Sequence, residues 1–192
     1  QVLFHASIEE DAGRFNLDEV ADGICKKLIF RHPHVFGQGG EGTPDSWEAL
    51  KRQEKGQTTE TETLQAVAKS LPGLWRAEKI QSKTAKAGFN WDTISGALDK
   101  LEEEVRELRQ AVENSQDPSA PHGIREEAGD VLFIVSKIAQ LSGVDPEDAL
   151  HRACDKFDAR FRLVEEAADK PLSACTEEEL VRLWESAKKK LS

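Results

Sequence analysis

Residues 98–112 read LDKLEEEVRELRQAV, and the apolar positions Leu98, Leu101, Val105, Leu108 and Val112 recur there at alternating steps of three and four. That period follows one face of an α-helix, whose side chains realign about every 3.6 residues. The same stepping runs through almost the whole chain, and the alternating apolar and polar runs of a half-buried strand are scarce. The sequence therefore predicts an all-α fold, a helical bundle. Its helices are expected at about 1–11, 17–30, 46–54, 61–87 with a break near Pro72-Gly73, 93–114, 123–142, 146–168 and 176–190. The turn formers agree with these ends. Residues 37–44 read as a flexible linker, Gly88 closes one helix, residues 115–122 with two prolines form a loop, and Asp145-Pro146 reads as a cap followed by a first-turn proline.

The 192 residues carry 36 acidic and 26 basic side chains, a net charge of -10, which disfavours a nucleic acid polymer as partner. At 38% hydrophobic the chain has apolar material for one good core. No stretch approaches the roughly 18 uninterrupted apolar residues of a membrane helix, so no membrane partner is expected. Cys25, Cys154 and Cys175 stand at no metal-ligand spacing and suit reduced thiols, which points to a cytoplasmic setting. The absence of methionine and the position of Gln1 in an apolar run predict a chain that begins inside an element, a fragment.

Laid against itself at an offset of 129, the chain pairs Cys25, Lys27 and Arg31 with Cys154, Lys156 and Arg160. A second match pairs Trp47-Glu48-Ala49-Leu50-Lys51-Arg52 with Trp184-Glu185-Ser186-Ala187-Lys188-Lys189 in the same order. Against chance likeness between amphipathic helices, this order favours an internal repeat. The first helix leaves two registers open: Val2-Leu3-Phe4 facing Val131-Leu132-Phe133, or Val2 and Ala6 facing Val135 and Ala139.

On a wheel of about 100° per residue, Lys100, Glu103, Glu104 and Glu107 share one flank of the Leu/Val stripe. Alone, that flank reads equally well as a solvated acidic face. The next helix changes the balance. Glu127 falls inside the apolar arc of Ile124, Val131, Ile134 and Ile138, with Asp130 one turn on at its edge. A carboxylate in such an arc needs a partner, because burying it unpaired costs several kcal/mol, of order 2 or more, or forces it neutral. Packing this arc against the acidic flank brings Glu104, Glu107, Glu127 and Asp130 together. Four oxygen ligands without histidine or cysteine suit a hard cation, Mg²⁺ with Mn²⁺ as substitute. The competing reading is an ion pair of Glu127 with Lys100 or Lys137. A di-iron site wants Glu-x-x-His, which His5, His32, His34, His122 and His151 do not supply.

Glu103-Glu104-x-x-Glu107 followed by Glu127-x-x-Asp130 resembles the E-E-x-x-E then E-x-x-D signature of the all-α nucleoside triphosphate pyrophosphohydrolases, the MazG family. The resemblance extends to Arg76-Ala77-Glu78-Lys79-Ile80-Gln81, Gly88-Phe89-Asn90-Trp91, Lys156-Phe157-Asp158-Ala159-Arg160-Phe161 and Arg31-His32-Pro33-His34-Val35-Phe36. It implies the tail of a truncated first MazG-like domain at 1–52, a linker at 53–73 and a catalytic domain at 74–192, in a dimeric architecture. It also implies hydrolysis of ribo- and deoxyribonucleoside triphosphates between the α and β phosphates. By the same resemblance Glu104, Glu107, Glu127 and Asp130 hold Mg²⁺, and Glu103 orients or deprotonates the attacking water. Lys100, Glu126, Lys156 and Arg160 face the nucleotide, and Trp184 stacks on its base. Two positions depart from the family's pattern: Lys137 stands where Asn is usual, and Gly123 where a related sequence has Lys, with Arg125 as its expected substitute. The rival readings are a narrower dUTPase-like or phosphoribosyl-ATP pyrophosphohydrolase, and a non-catalytic helical regulator.

Overall fold

The structure, a computed structural model, describes residues 1–37, 39, 42–91, 93–115 and 123–191. Most of the expected 115–122 loop, His122 included, and positions 38, 40 and 41 of the expected linker lie outside the described residues. The elements in order are α1 (Val2–Asp11), α2 (Leu17–Arg31), α3 (Pro44–Glu54), α4 (Glu60–Gln65), α5 (Gly73–Lys86), α6 (Ile94–Glu113), α7 (Ile124–Leu141), α8 (Pro146–Ala167) and α9 (Glu177–Lys190), with a short 3-10 turn at Leu172–Ala174. Among the described residues there is no strand, and the chain is all-α.

Local chemistry sets these ends. Asn16, Thr43, Thr59 and Thr176 each close a reciprocal capping box, satisfying amides that the first helical turn leaves without partners. Asp145 accepts from the amides of Glu147 and Asp148 at 2.9 and 3.0 Å, and Pro146 follows at the position where a missing N–H costs nothing. Gly88 and Gly143, at φ of 87° and 70°, carry the chain out of α5 and α7 through the left-handed region. The stretch expected at 61–87 with a break near Pro72-Gly73 is two helices, the second starting at Gly73 as expected and the first ending earlier, at Gln65. Proline disfavours the helical region for Leu71 before it, and Pro72 caps α5, which starts at Gly73.

Contacts divide the chain into a unit of residues 1–66 and a unit of residues 67–192. In the first, α1 packs on α2 and α2 on α3. In the second, α6 and α7 form the most extensive pair, α5 packs on both α7 and α8, α7 touches α8, and α8 pairs with α9. Ala77, Ala97, Ala111, Ile134, Val164 and Ala187 are buried there, and the alanines let helix backbones approach closely. The α5–α7 contact is unusually polar. Gln81 Nε2 donates to the Phe133 carbonyl at 2.7 Å, Gln140 Nε2 to the Glu78 carbonyl at 3.4 Å, and Lys137 Nζ to Gln140 Oε1 at 2.7 Å. No helix among the described residues is long and apolar enough to cross a membrane.

Candidate active site

The α6–α7 pairing positions the acidic residues. On α6, Glu104 projects toward α7 from the flank of the Leu/Val stripe and is 8% exposed; on α7, Glu127 is 3% exposed within its apolar arc. Asp130, one turn beyond Glu127, is exposed. One carboxylate oxygen from each of Glu104, Glu127 and Asp130 lies within 4.8 Å of the others. At an effective dielectric of about 20, two unit charges at such a separation repel by roughly 3–4 kcal/mol, a repulsion that a cation held among the three carboxylates would relieve. The donor set is oxygen alone, without thiolate or imidazole, and is suited to a hard divalent cation rather than to zinc or copper.

Glu107 is half-buried on α6 and stands outside this group of three. Glu103 is exposed, and Lys100 joins it to Glu104: Lys100 Nζ lies 2.9 Å from Oε1 of each. The Lys100 ammonium beside it holds the Glu103 carboxyl below its ordinary value, and the same two carboxylates raise the pKa of Lys100. Lys100 thus pairs within α6, and Lys137 donates to Gln140. Glu126 and Arg125 are exposed in the first turn of α7, which Gly123 caps without a side chain.

The basic and aromatic candidates lie on the α8–α9 pair. Lys156 is exposed, Arg160 is half-buried one turn along, and Arg160 Nε is shielded without a hydrogen-bond partner among the described residues. Trp184 of α9 packs its ring 5.1 Å from that of Phe157, tilted by 44°, and Phe161 continues the row. Between these helices an open hollow of about 490 Å³ is lined mainly by apolar side chains, among them Phe157, Phe161, Leu172, Val181 and Trp184. Phe157 as ring partner of Trp184 was absent from the sequence-derived site; its signal was a place on the same helical stripe as Leu150 and Phe161.

In the first unit the matching pair, α2 and α3, gathers similar residue types. The Arg31 guanidinium lies 5.8 Å and Lys51 Nζ 4.6 Å from the Trp47 ring centroid. Arg31 Nε also donates to Glu54 Oε2 at 2.5 Å.

Residues 1–36 and 93–164 match the model of the MazG nucleotide pyrophosphohydrolase domain. The chain is 37% identical over 191 residues to the nucleoside triphosphate pyrophosphohydrolase/pyrophosphatase MazG of Thermotoga maritima, covering 98% of this chain and 72% of that protein. It is 34% identical over 200 residues to the nucleoside triphosphate pyrophosphohydrolase of Escherichia coli, covering 98% and 74%. A nucleoside triphosphate pyrophosphohydrolase of Mycolicibacterium smegmatis is 33% identical over 122 residues, covering 58% of this chain and 38% of that protein.

Proposed function

The chain belongs to the MazG nucleotide pyrophosphohydrolase family, and from that premise we propose a metal-dependent hydrolysis of nucleoside triphosphates carried by the α6–α7 carboxylates. The enzyme hydrolyses a nucleoside triphosphate to the monophosphate and pyrophosphate. Water adds to phosphorus as the bond between the α and β phosphates breaks, and pyrophosphate leaves with the bridging oxygen. The observation that carries the reading is the approach of Glu104, Glu127 and Asp130 oxygens to within 4.8 Å across α6 and α7.

These three, with Glu107 as a fourth carboxylate, are the proposed holders of Mg²⁺, with Mn²⁺ as substitute. Such an ion, when bound, neutralises phosphate charge that otherwise repels a nucleophile. Glu103, whose carboxyl Lys100 holds below its ordinary value before the ion binds, accepts a proton from the attacking water or orients it. Lys156 binds phosphate as a point charge and Arg160 as a fork, and Lys100 and Glu126 line the same approach. Trp184 and Phe157 offer ring faces to the base. Stacking against a mainly apolar hollow supports a broad range of bases and both sugars, since reading a base edge needs placed polar groups.

A dimer belongs to this reading. Val112, Leu132 and Leu150 are each about half exposed, and a second copy would cover them. So does a cytoplasmic setting, where free nucleoside triphosphates are the substrate. The repeat makes α1, α2 and α3 a second copy of α7, α8 and α9.

The test is pyrophosphate release from a panel of ribo- and deoxyribonucleoside triphosphates with Mg²⁺, an EDTA control, and Glu127→Gln. Monophosphate and pyrophosphate, lost with EDTA and in Glu127→Gln at unchanged helicity, are expected. Diphosphate with orthophosphate would place the cleavage at the wrong bond, and a variant retaining most activity would remove Glu127 from the site.

A further inference from the structure

Lys100 is a cation already seated in the acidic group. Its Nζ lies 2.9 Å from Oε1 of exposed Glu103 and 2.9 Å from Oε1 of buried Glu104. Glu104 is also one of the three residues whose oxygens converge within 4.8 Å. Both pairs are one helical turn long, at steps of three and four on α6, so no other element is needed to hold the lysine there. Its four-carbon stem can carry the ammonium off the carboxylates with the backbone unmoved. A divalent cation on Glu104 puts positive charge beside that ammonium, and the two compete for the same carboxylate.

We propose that Lys100 is an internal counter-ion that a divalent cation displaces, and that the displaced ammonium turns to the triphosphate, coupling cation binding to nucleotide binding through one side chain. This rests on Glu104, Glu127 and Asp130 being the cation's ligands. The consequence is a pair of effects of opposite sign. Without the Lys100 ammonium the cation binds more tightly and the nucleotide less tightly. A lysine that only supports the helix weakens both, and one that only contacts phosphate leaves the cation's affinity alone.

The experiment titrates the full chain with Mn²⁺, reading free Mn²⁺ by electron paramagnetic resonance, first without nucleotide and then with an α,β-methylene nucleoside triphosphate that cannot be cleaved. Lys100→Met is expected to bind Mn²⁺ alone about 5-fold or more tightly than the unaltered protein, a change of the size usual for coupled sites. It should bind the analogue more weakly, and Mn²⁺ should strengthen analogue binding by a smaller factor. Lys100→Arg, which keeps the charge, should return the Mn²⁺ affinity toward that of the unaltered protein. Equal or weaker Mn²⁺ binding by a Lys100→Met protein of unchanged helicity overturns the proposal. Glu127→Gln is the separate control: if it binds Mn²⁺ as tightly as the unaltered protein, the cation's ligands lie elsewhere and the inference falls with that reading, an outcome distinct from a failure of Lys100 alone.

Discussion

The rings of Phe157 and Trp184, 5.1 Å apart and tilted by 44°, join α8 to α9 on the side that carries Arg160. A tilted aromatic pair adds about 0.5–1.5 kcal/mol beyond the area it removes from water. Trp184→Ala should therefore lower stability by about 2 kcal/mol, less than full burial would cost because Trp184 is only half-buried. It should also raise KM for every nucleoside triphosphate by a similar factor, while Trp184→Phe restores most of the stability. Denaturant unfolding with KM measured across the bases checks this. A loss confined to one base would mean that Trp184 reads an edge and does not stack.

Lys137 is 2% exposed, and its Nζ has the Gln140 amide oxygen at 2.7 Å as acceptor. Burial pushes its pKa below the ordinary 10.5. The unfolded chain then binds more protons than the folded one between the lowered value and 10.5, and stability rises with pH through that window. Replacing the buried ammonium by an apolar side chain of similar length should stabilise. Lys137→Met is expected to gain about 1–2 kcal/mol at neutral pH, with the gain shrinking as pH approaches the unfolded value. Urea unfolding at neutral and alkaline pH measures it; a variant less stable at neutral pH would show that the charge is well solvated where it sits.

Gln81 of α5 is 2% exposed and half satisfied: Nε2 reaches the Phe133 carbonyl, whereas Oε1 is shielded without a partner among the described residues. Removing both groups together discards one hydrogen bond and one stranded acceptor, which nearly offset each other. Gln81→Met should change stability by under about 1 kcal/mol, and Gln81→Glu, which buries a charge, should cost about 3 kcal/mol. Thermal unfolding of the two variants decides it, and equal losses in both would mean that shape, not polarity, governs the position.

What could be read in the sequence follows the range of the interactions. The stripe from Leu98 to Val112 defines α6 because helix periodicity is local, and the caps at Asp145 and Thr176 are local too. The Lys100 pairs sit at helical spacing and follow from it. The meeting of Glu104 with Glu127 and Asp130 is a contact between two helices, yet Glu127 announced it by standing in an apolar arc. Glu107 shares the flank of Glu104 but stands outside the group, one turn along α6, a difference that wheel angles do not resolve. Leaving the helix at Ala66 was masked by periodic residues on both sides of the break. The polar α5–α7 seam gave no warning, since Gln81, Lys137 and Gln140 look like surface residues until their helices are packed together.

Arg160 combines a half-buried position with an Nε that is shielded and has no partner among the described residues, so its guanidinium loses water without gaining an acceptor from them at that nitrogen. A side chain kept for stability would have that partner, whereas one kept for an anion waits for it. Arg160→Met should therefore leave the melting temperature unchanged or raise it slightly, yet raise KM for nucleoside triphosphates at least tenfold, since a charge-assisted hydrogen bond contributes about 1.5–3 kcal/mol. Arg160→Lys keeps the charge but not the fork and should fall between the two. Measuring melting temperature and KM on the same preparations separates the roles: a destabilised Arg160→Met protein with unchanged KM would make Arg160 a structural residue of the α8–α9 pair and leave the phosphates to Lys156.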